Sequence, residues 1–285
     1  MRFGTVDGRF VLVDGERVLD VGQASGGTLP SDAVAALEVW DEVRAFAATA
    51  DWATAYAVAP EQFGPPVPAP RQVFAIALNY APHAAEAGFE PPEEPLVFTK
   101  FPSCITGPVT TVVLPEGHVD WEIEVVAVIG RGGHRIARED AWDAVAGIAI
   151  GQDLSERVTQ MIGKPPQFSL AKSFPGFGPF GPVAVSPDDL AGRDDLAGRD
   201  DLAFESRIGD EVIQHGRTSQ MIFPIDDLVA RLSAICPLLP GDLIFTGTPE
   251  GVGNRRSPQR FLQPGERLVS RLDGVGEIAQ TFVSA

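Results

Sequence analysis

The chain carries only two cysteines in 285 residues, Cys104 and Cys236, in unrelated contexts. Two isolated cysteines make neither a disulfide framework nor the paired spacing of a zinc site, so both read as reduced, small core residues. Basic residues are scarce too. Lys and Arg number 22 against 39 Asp and Glu, a formal charge of −17, which argues against a nucleic-acid binder or a protein of anionic membrane surfaces. The same excess means that an anionic ligand approaches only where cations mark its site. No apolar run is long enough to span a bilayer. The opening MRFGTVDGRFVLVDG has no uninterrupted apolar stretch of the secretory kind, and the expectation is a cytoplasmic protein. Phosphate-loop signatures are also missing. Residues 176–181 satisfy G-x-G-x-x-G, but Pro179 and Pro182 forbid the helix that must open there. The glycine-rich stretch 246–253 lacks the lysine of a P-loop; it reads as a tight turn, or as a turn whose amides and hydroxyls hold a carboxylate.

What is present is ample apolar material for a core, at a length of one or two domains. Asp7-Gly8 and Asp14-Gly15 punctuate alternating apolar runs in the manner of hairpins. A helix is expected from Ser31 or Asp32, carrying Val34, Leu37 and Val43. The run GPPVPAP at 64–70 suits neither helix nor central strand. The division that follows is a small N-terminal α/β domain over 1–64, a Pro-rich linker over 65–70 and a larger domain over 71–285. In the latter, VFAIAL, TVVLP, WEIEVVAVIG, VAGIAIG, GPVAVS, DLIFTG and RLVSRLDGVGEIAQTFV read as strands. Helices are expected after Asp153 and through Ile225, Leu228, Val229, Leu232 and Ile235. The fold class is therefore α+β and β-rich rather than a regular βαβ array. The unit DDLAGR at 188–193 recurs at 194–199 and begins again at 200; two copies make a lengthened loop, not a solenoid.

The chemistry-bearing residues begin with Glu122 and Glu124. In an extended VDWEIEVVAVIG, Trp121, Ile123, Val125, Ala127 and Ile129 share one face and Glu122, Glu124, Val126 and Val128 the other. Two like charges on a half-buried face repel and resist desolvation, and a hard dication such as Mg²⁺, Mn²⁺ or Ca²⁺ removes both penalties. An edge strand with both carboxylates in water is the alternative. Asp153, after the next apolar run, is a third carboxylate; in a helix starting there, Asp153, Arg157 and Gln160 fall on one face, or Asp153 is an ordinary cap paired with Arg157. In NYAPHAAEAG, Pro82 suits a first helical turn and sets His83 and Glu86 at i and i+3, where a carboxylate orients the ring and raises its basicity; a solvent-facing pair is the plainer reading. Lys172 either reaches into a pocket or snorkels outward. His118, His134 and His215 flank turns or charged segments and are expected at the surface.

Together NYAPHAAEAG, FTKFPSCITGP, VDWEIEVVAVIG, GIAIGQDLSERVTQ, FSLAKSFPGFGPFGP, GRTSQMIFP, LLPGDLIFTGTPEGVG and FLQPGERLVSRLDGVGEI resemble the fumarylacetoacetate hydrolase family, in the family's order, from about Phe74 onward. The resemblance implies a mixed β-roll or sandwich catalytic domain, a homodimer, and one Mg²⁺ or Mn²⁺ (Ca²⁺ as a substitute in crystals). It implies Glu122, Glu124 and Asp153 as metal ligands and a His83–Glu86 dyad on a mobile lid, with specificity near 88–91. Catalytic roles extend to Lys172 and Gln160, and substrate contacts to Arg157, Gln160, Lys172, Gly247 and Thr248. The activity it implies is hydrolysis of a C–C bond in a 2,4-dioxo acid of the acylpyruvate type, a small-molecule oxo acid, with pyruvate enolate leaving. Oxaloacetate-type decarboxylation and 2-hydroxydienoate isomerisation or hydration are the alternatives on the same scaffold; a decayed, metal-stabilised scaffold is the non-catalytic one. The chain departs from the family at Ile76, where the fumarylacetoacetate-cleaving members have a further Asp, in the duplication, and in RIGDEV, which lacks the usual Asn before Gly.

Overall fold

The computed structural model describes residues 1–88, 90–192, 196 and 198–285. Strand Ile123–Ile129 is the keel of the molecule. It lies antiparallel to both Val145–Gln152 and Leu243–Phe245, and all seven of its residues are buried. The two-residue alternation divides its side chains between two cores. Ile123, Val125, Ala127 and Ile129 pack with Ile225, Leu228, Val229 and Leu232 of helix Ile225–Ile235. Val126 and Val128 pack on the opposite face with Phe3, Phe10, Leu37 and Trp40 from the N-terminal region. A strand buried on both faces needs a continuous apolar run, which this one has.

The N-terminal strands join the same sheet. Arg2–Val6 pairs antiparallel with Gly178–Val185, Phe3 opposite Ala184, and Arg9–Asp14 and Arg17–Asp20 follow outward as hairpins. Asp7 and Gly8 both take positive φ at the first turn, the geometry that Asp-Gly hairpins adopt. Asp32 caps helix Ala33–Glu38 through the amide of Ala35, and a second helix, Trp40–Ala47, carries Val43. A second, five-stranded sheet runs Glu211–Arg217, Ala203–Ile208, Arg267–Leu272, Gly276–Ser284 and Val109–Leu114. The architecture is α+β, sheet-dominated, with few and mostly short helices. Gly178–Val185 is a strand, not a helix, where the glycine pattern ends.

Three expectations change, the first at Cys236, which is exposed at the end of its helix while Cys104 is buried in the core. The helix placed after Asp153 does not start there: Ser155–Glu156 is a short strand against Val119–Asp120, and the helix is only Arg157–Gln160, capped by Glu156. Glu156 accepts from the amides of Val158 and Thr159, so the cap lies three residues later than Asp153. Helix Ile225–Ile235 forms, but Ile235 at its end is 82 % exposed while the other four apolar positions are buried. Of the 188–199 duplication, Arg193, Asp194, Asp195 and Ala197 lie outside the described residues, as does Phe89 in the 88–91 specificity segment. Among the described residues no helix is long and apolar enough to cross a membrane.

Candidate metal centre

The sheet register brings the carboxylates together. Asp153 follows strand Val145–Gln152, whose Gln152 lies opposite Ile123, and its amide donates to the Glu122 carbonyl at 2.8 Å. Close strand approach requires Gly151 here, since a Cβ would sit 2.8 Å from Val126 Cγ2. Oxygens of Glu122, Glu124 and Asp153 all lie within 4.8 Å of one another, and all three residues are buried. The alternative of carboxylates washed by water on an edge strand is gone.

Cations surround two of the three. Lys172 Nζ donates to Glu122 Oε2 and Asp153 Oδ2, both at 2.6 Å, from a buried position at the end of helix Phe168–Ala171. Arg157 reaches Glu122 Oε1 at 2.7 Å and Asp120 Oδ2 at 2.6 Å, and its Nη1 donates to Gln160 Oε1 at 3.0 Å. Lys100, wholly buried, donates to Asp153 Oδ1 at 2.6 Å and to the carbonyls of Lys172 and Phe177. Glu124 differs. It accepts only the Gly247 amide, at 2.8 Å, and pairs with no cation among the described residues.

Charge follows that asymmetry. Burial pushes the Glu122 carboxyl up, but Lys172 and Arg157 outweigh it and hold the group down to about 2. Burial, then Asp153 and Glu122, push Glu124 well above the usual carboxylate range. Lys172 is penalised by burial, yet Asp153 and Glu122 raise it, so it stays an ammonium. Four buried carboxylates (Asp120, Glu122, Glu124, Asp153) face three cations, the buried Lys100 and Lys172 and the partly buried Arg157. The cluster is one positive charge short, at Glu124. An all-oxygen donor set with this deficit fits a hard divalent cation. Ile76, where a further carboxylate was conceivable, lies in the apolar core and adds none.

The dyad stands on helix Ala81–Ala87, whose first turn holds Pro82. His83 Nδ1 and Glu86 Oε2 are 3.0 Å apart, and Glu86 Oε1 accepts from the Gly251 amide at 3.1 Å. Burial raises Glu86, but the bonds from His83 and Gly251 overcome it and leave the carboxyl below its ordinary range. His83 lies within electrostatic reach of Glu122. The root of the helix is fixed by Asn79, which bonds Phe223 and the Thr246 carbonyl at 2.7–3.0 Å. Gly247, at φ +96°, and Thr248 follow on the turn after strand Leu243–Phe245; the carboxylate gripped by that turn is Glu124's own. His118, His134 and His215 are exposed.

Glu122, Glu124, Asp153, Arg157, Gln160 and Lys172 are thus linked in one cluster, with Gly247 bonded to Glu124, Thr248 following it and the His83–Glu86 dyad bonded to the same turn. Lys100, Asp120 and Gln214 were not among the residues singled out in the sequence. No local signal marked them: Lys100 follows Thr99 just past strand Leu96–Thr99, Asp120 is one acid in an acid-rich chain, and Gln214 stands in the largely polar EVIQHGR.

Residues 72–283 match the family model described as Fumarylacetoacetate (FAA) hydrolase C-terminal. The chain is 39 % identical over 220 residues to the mitochondrial oxaloacetate tautomerase FAHD2A of Homo sapiens, covering 76 % of this chain and 68 % of that protein. A solved structure of a candidate HpcE protein from Mycobacterium smegmatis superposes with a TM-score of 0.93 at 50 % identity over the whole of both chains. The maleylpyruvate hydrolase of Sphingobium sp. SYK-6, solved with manganese(II) and pyruvate, superposes with a TM-score of 0.76 at 27 % identity, again over both whole chains.

Proposed function

Because this chain belongs to the fumarylacetoacetate hydrolase family and is an enzyme of that family, we propose that it hydrolyses a C–C bond in a 2,4-dioxo acid of the acylpyruvate type. The observation that carries this reading is the His83–Glu86 dyad, within electrostatic reach of a buried cluster of three carboxylates that lacks one positive charge. Glu122, Glu124 and Asp153 would hold the ion, Mg²⁺ or Mn²⁺, which when bound supplies Lewis-acid stabilisation of negative charge on the substrate. The manganese and pyruvate held by the Sphingobium hydrolase agree with that class of ligand.

The chain's own residues do the rest. Glu86 takes His83 Nδ1, leaving Nε2 as the base that removes a proton from water attacking the distal ketone. The tetrahedral alkoxide collapses, the C–C bond breaks toward the pyruvate side, and a carboxylic acid and pyruvate enolate result. His83 then returns its proton to the enolate carbon, giving pyruvate. Lys172, Arg157 and Gln160 donate to the oxygens on which charge builds. The Thr248 hydroxyl donates to the substrate carboxylate, while Gly247 keeps Glu124 in place.

A second reading has its own support in the human relative, an oxaloacetate tautomerase. There the same base would move one proton between carbon and oxygen of a 2-oxo diacid, exchanging a C–H for an O–H bond with no C–C bond broken. Incubation with Mg²⁺ or Mn²⁺ and each substrate separates the two. Hydrolysis gives one equivalent of carboxylic acid per pyruvate from an acylpyruvate; tautomerisation gives faster loss of enol absorbance from oxaloacetate with no pyruvate. Pyruvate from oxaloacetate, or conversion of a 2-hydroxydienoate, would instead point to decarboxylase or isomerase chemistry. His83→Ala should lower kcat on the true substrate by roughly 10²–10⁴-fold with Mn²⁺ affinity unchanged; unchanged turnover would remove the dyad from the mechanism.

The homodimer and a cytoplasmic setting belong to the same proposal. In support of the dimer, Leu96, Val97, Phe101, Met161, Ile162 and Leu170 are all exposed. Their segments pack on one another through Phe98 and Phe168, ring centroids 5.7 Å apart. An apolar face of this kind marks an interaction surface.

A further inference from the structure

The turn that carries Thr248 is fastened at three successive residues, the first two directly to the keel strand and the third through Gln214. Thr246 donates to the Val125 carbonyl from both its amide, at 3.1 Å, and its hydroxyl, at 2.9 Å. Gly247 donates to Glu124. Thr248 is held by Gln214, a residue of the other sheet that no part of the mechanism above uses. Gln214 is 1 % exposed and Thr248 is 4 % exposed.

The orientation of the Gln214 amide is forced by backbone groups at both ends. The Ile123 N–H, 3.0 Å away, can only donate, so it faces Oε1. The Pro249 carbonyl, also at 3.0 Å, can only accept, so it faces Nε2. The same Nε2 lies 2.9 Å from Thr248 Oγ1 and donates to it. The threonine oxygen is therefore an acceptor toward Gln214, and its own proton must point elsewhere. No acceptor for that proton exists among the described residues. A buried hydroxyl donor without a partner is costly unless something arrives to accept from it.

We infer that Gln214 is a positioning residue: by occupying the acceptor side of Thr248, it turns the threonine proton toward the substrate and makes the turn selective for a carboxylate. Its Ile123 bond ties this donor to the strand that carries Glu124 and extends from Glu122, so the carboxylate donor and the acidic cluster hold a fixed spacing. The consequence is a preference for 2-oxo acids over the corresponding esters, amides or simple ketones. The inference rests on the proposed oxo-acid reading and specifies which group of the acid the turn recognises.

The test is calorimetric titration of oxalate and of pyruvate into the Mn²⁺-loaded protein, so the readout is binding rather than turnover. Gln214→Glu keeps the acceptor for Ile123 but offers Thr248 an acceptor in place of a donor, so the hydroxyl turns away from the ligand. Oxalate affinity should fall at least about tenfold, the scale of one hydrogen bond to a charged group, with Mn²⁺ affinity retained. Thr248→Val should cause a similar loss and Thr248→Ser a small one. Gln214→Glu added to Thr248→Val should then bind oxalate no worse than Thr248→Val alone. Should Gln214→Glu not fold, Gln214→Met, which frees the hydroxyl to rotate, should weaken oxalate several-fold in wild-type Thr248 and not in Thr248→Val. Wild-type affinity in the folded Gln214 variant, or an equal further loss in the Thr248→Val background, overturns the inference. Failure of the wild-type protein to bind either acid overturns the oxo-acid reading itself, and this inference with it.

Discussion

Glu124 is the residue on which the account can be pressed hardest, because the fold leaves it without a cation. Its carboxyl is raised by burial and by Asp153 and Glu122. Below the ordinary carboxylate range, folded and unfolded chains both bind the proton and nothing is gained or lost. As pH rises past that range the unfolded chain ionises first, so the metal-free protein loses stability until the folded group ionises too. Thermal melts should show that decline in chelator and its disappearance with Mn²⁺ or Mg²⁺. Glu124→Gln keeps an acceptor for Gly247 and removes the charge; at neutral pH it should raise the melting temperature of the metal-free protein by a few degrees and abolish stabilisation by the ion. A melt that drops instead, with the ion still stabilising, would mean that Glu124 is not where the charge is missing. At this scale the sequence was readable for acids and opaque for their partners. Glu122 and Glu124 announce themselves as charges in an apolar strand. Lys100 is a single lysine whose burial only the tertiary fold decides, and Asp120 is one acid among many.

Helix Ala81–Ala87 and the turn it touches form the element with the most to do. Its Pro82 start and its His83–Glu86 spacing follow from local rules, and both are present. The second grip of Glu86, on the Gly251 amide, joins positions 165 apart and no local pattern reports it. Because the Glu86 carboxyl sits below its ordinary range, the latch is intact above that range and fails as pH falls through the lowered value. Hydrogen-exchange protection across 81–87, taken relative to the intrinsic amide rate at each pH, should be high near neutrality and fall by about an order of magnitude on acidification, and Glu86→Gln should lose most of that pH response; a flat protection profile would mean that the helix is held by Asn79 alone. Asp153 illustrates the opposite case. Its place after an apolar run suggested a helix cap, but pairing of Ser155–Glu156 with Val119–Asp120 intervenes, and long-range pairing of this kind overrides a capping signal.

For the whole molecule, the alternation within Ile123–Ile129 divided its side chains between two faces, but did not tell that both are packed or what covers each. One face takes helix Ile225–Ile235, and the other takes the N-terminal hairpins and helices, which extend the same sheet through Phe3 opposite Ala184. The Pro-rich run at 64–70 marked a change of character in the chain, whereas sheet continuity across it depends on pairing between residues nearly two hundred apart. The dimer belongs to this scale. Met161→Glu with Leu170→Glu should convert a two-subunit mass in light scattering to a single-subunit one, and a wild-type protein already of single-subunit mass would contradict the dimer. The cation claim has its most direct test in anomalous diffraction from crystals soaked in Mn²⁺. The account predicts one strong peak at oxygen-ligand distance, about 2.0–2.3 Å, from Glu122, Glu124 and Asp153 together, with the Lys172 ammonium beside it. Full-occupancy manganese elsewhere and none between those carboxylates would contradict it.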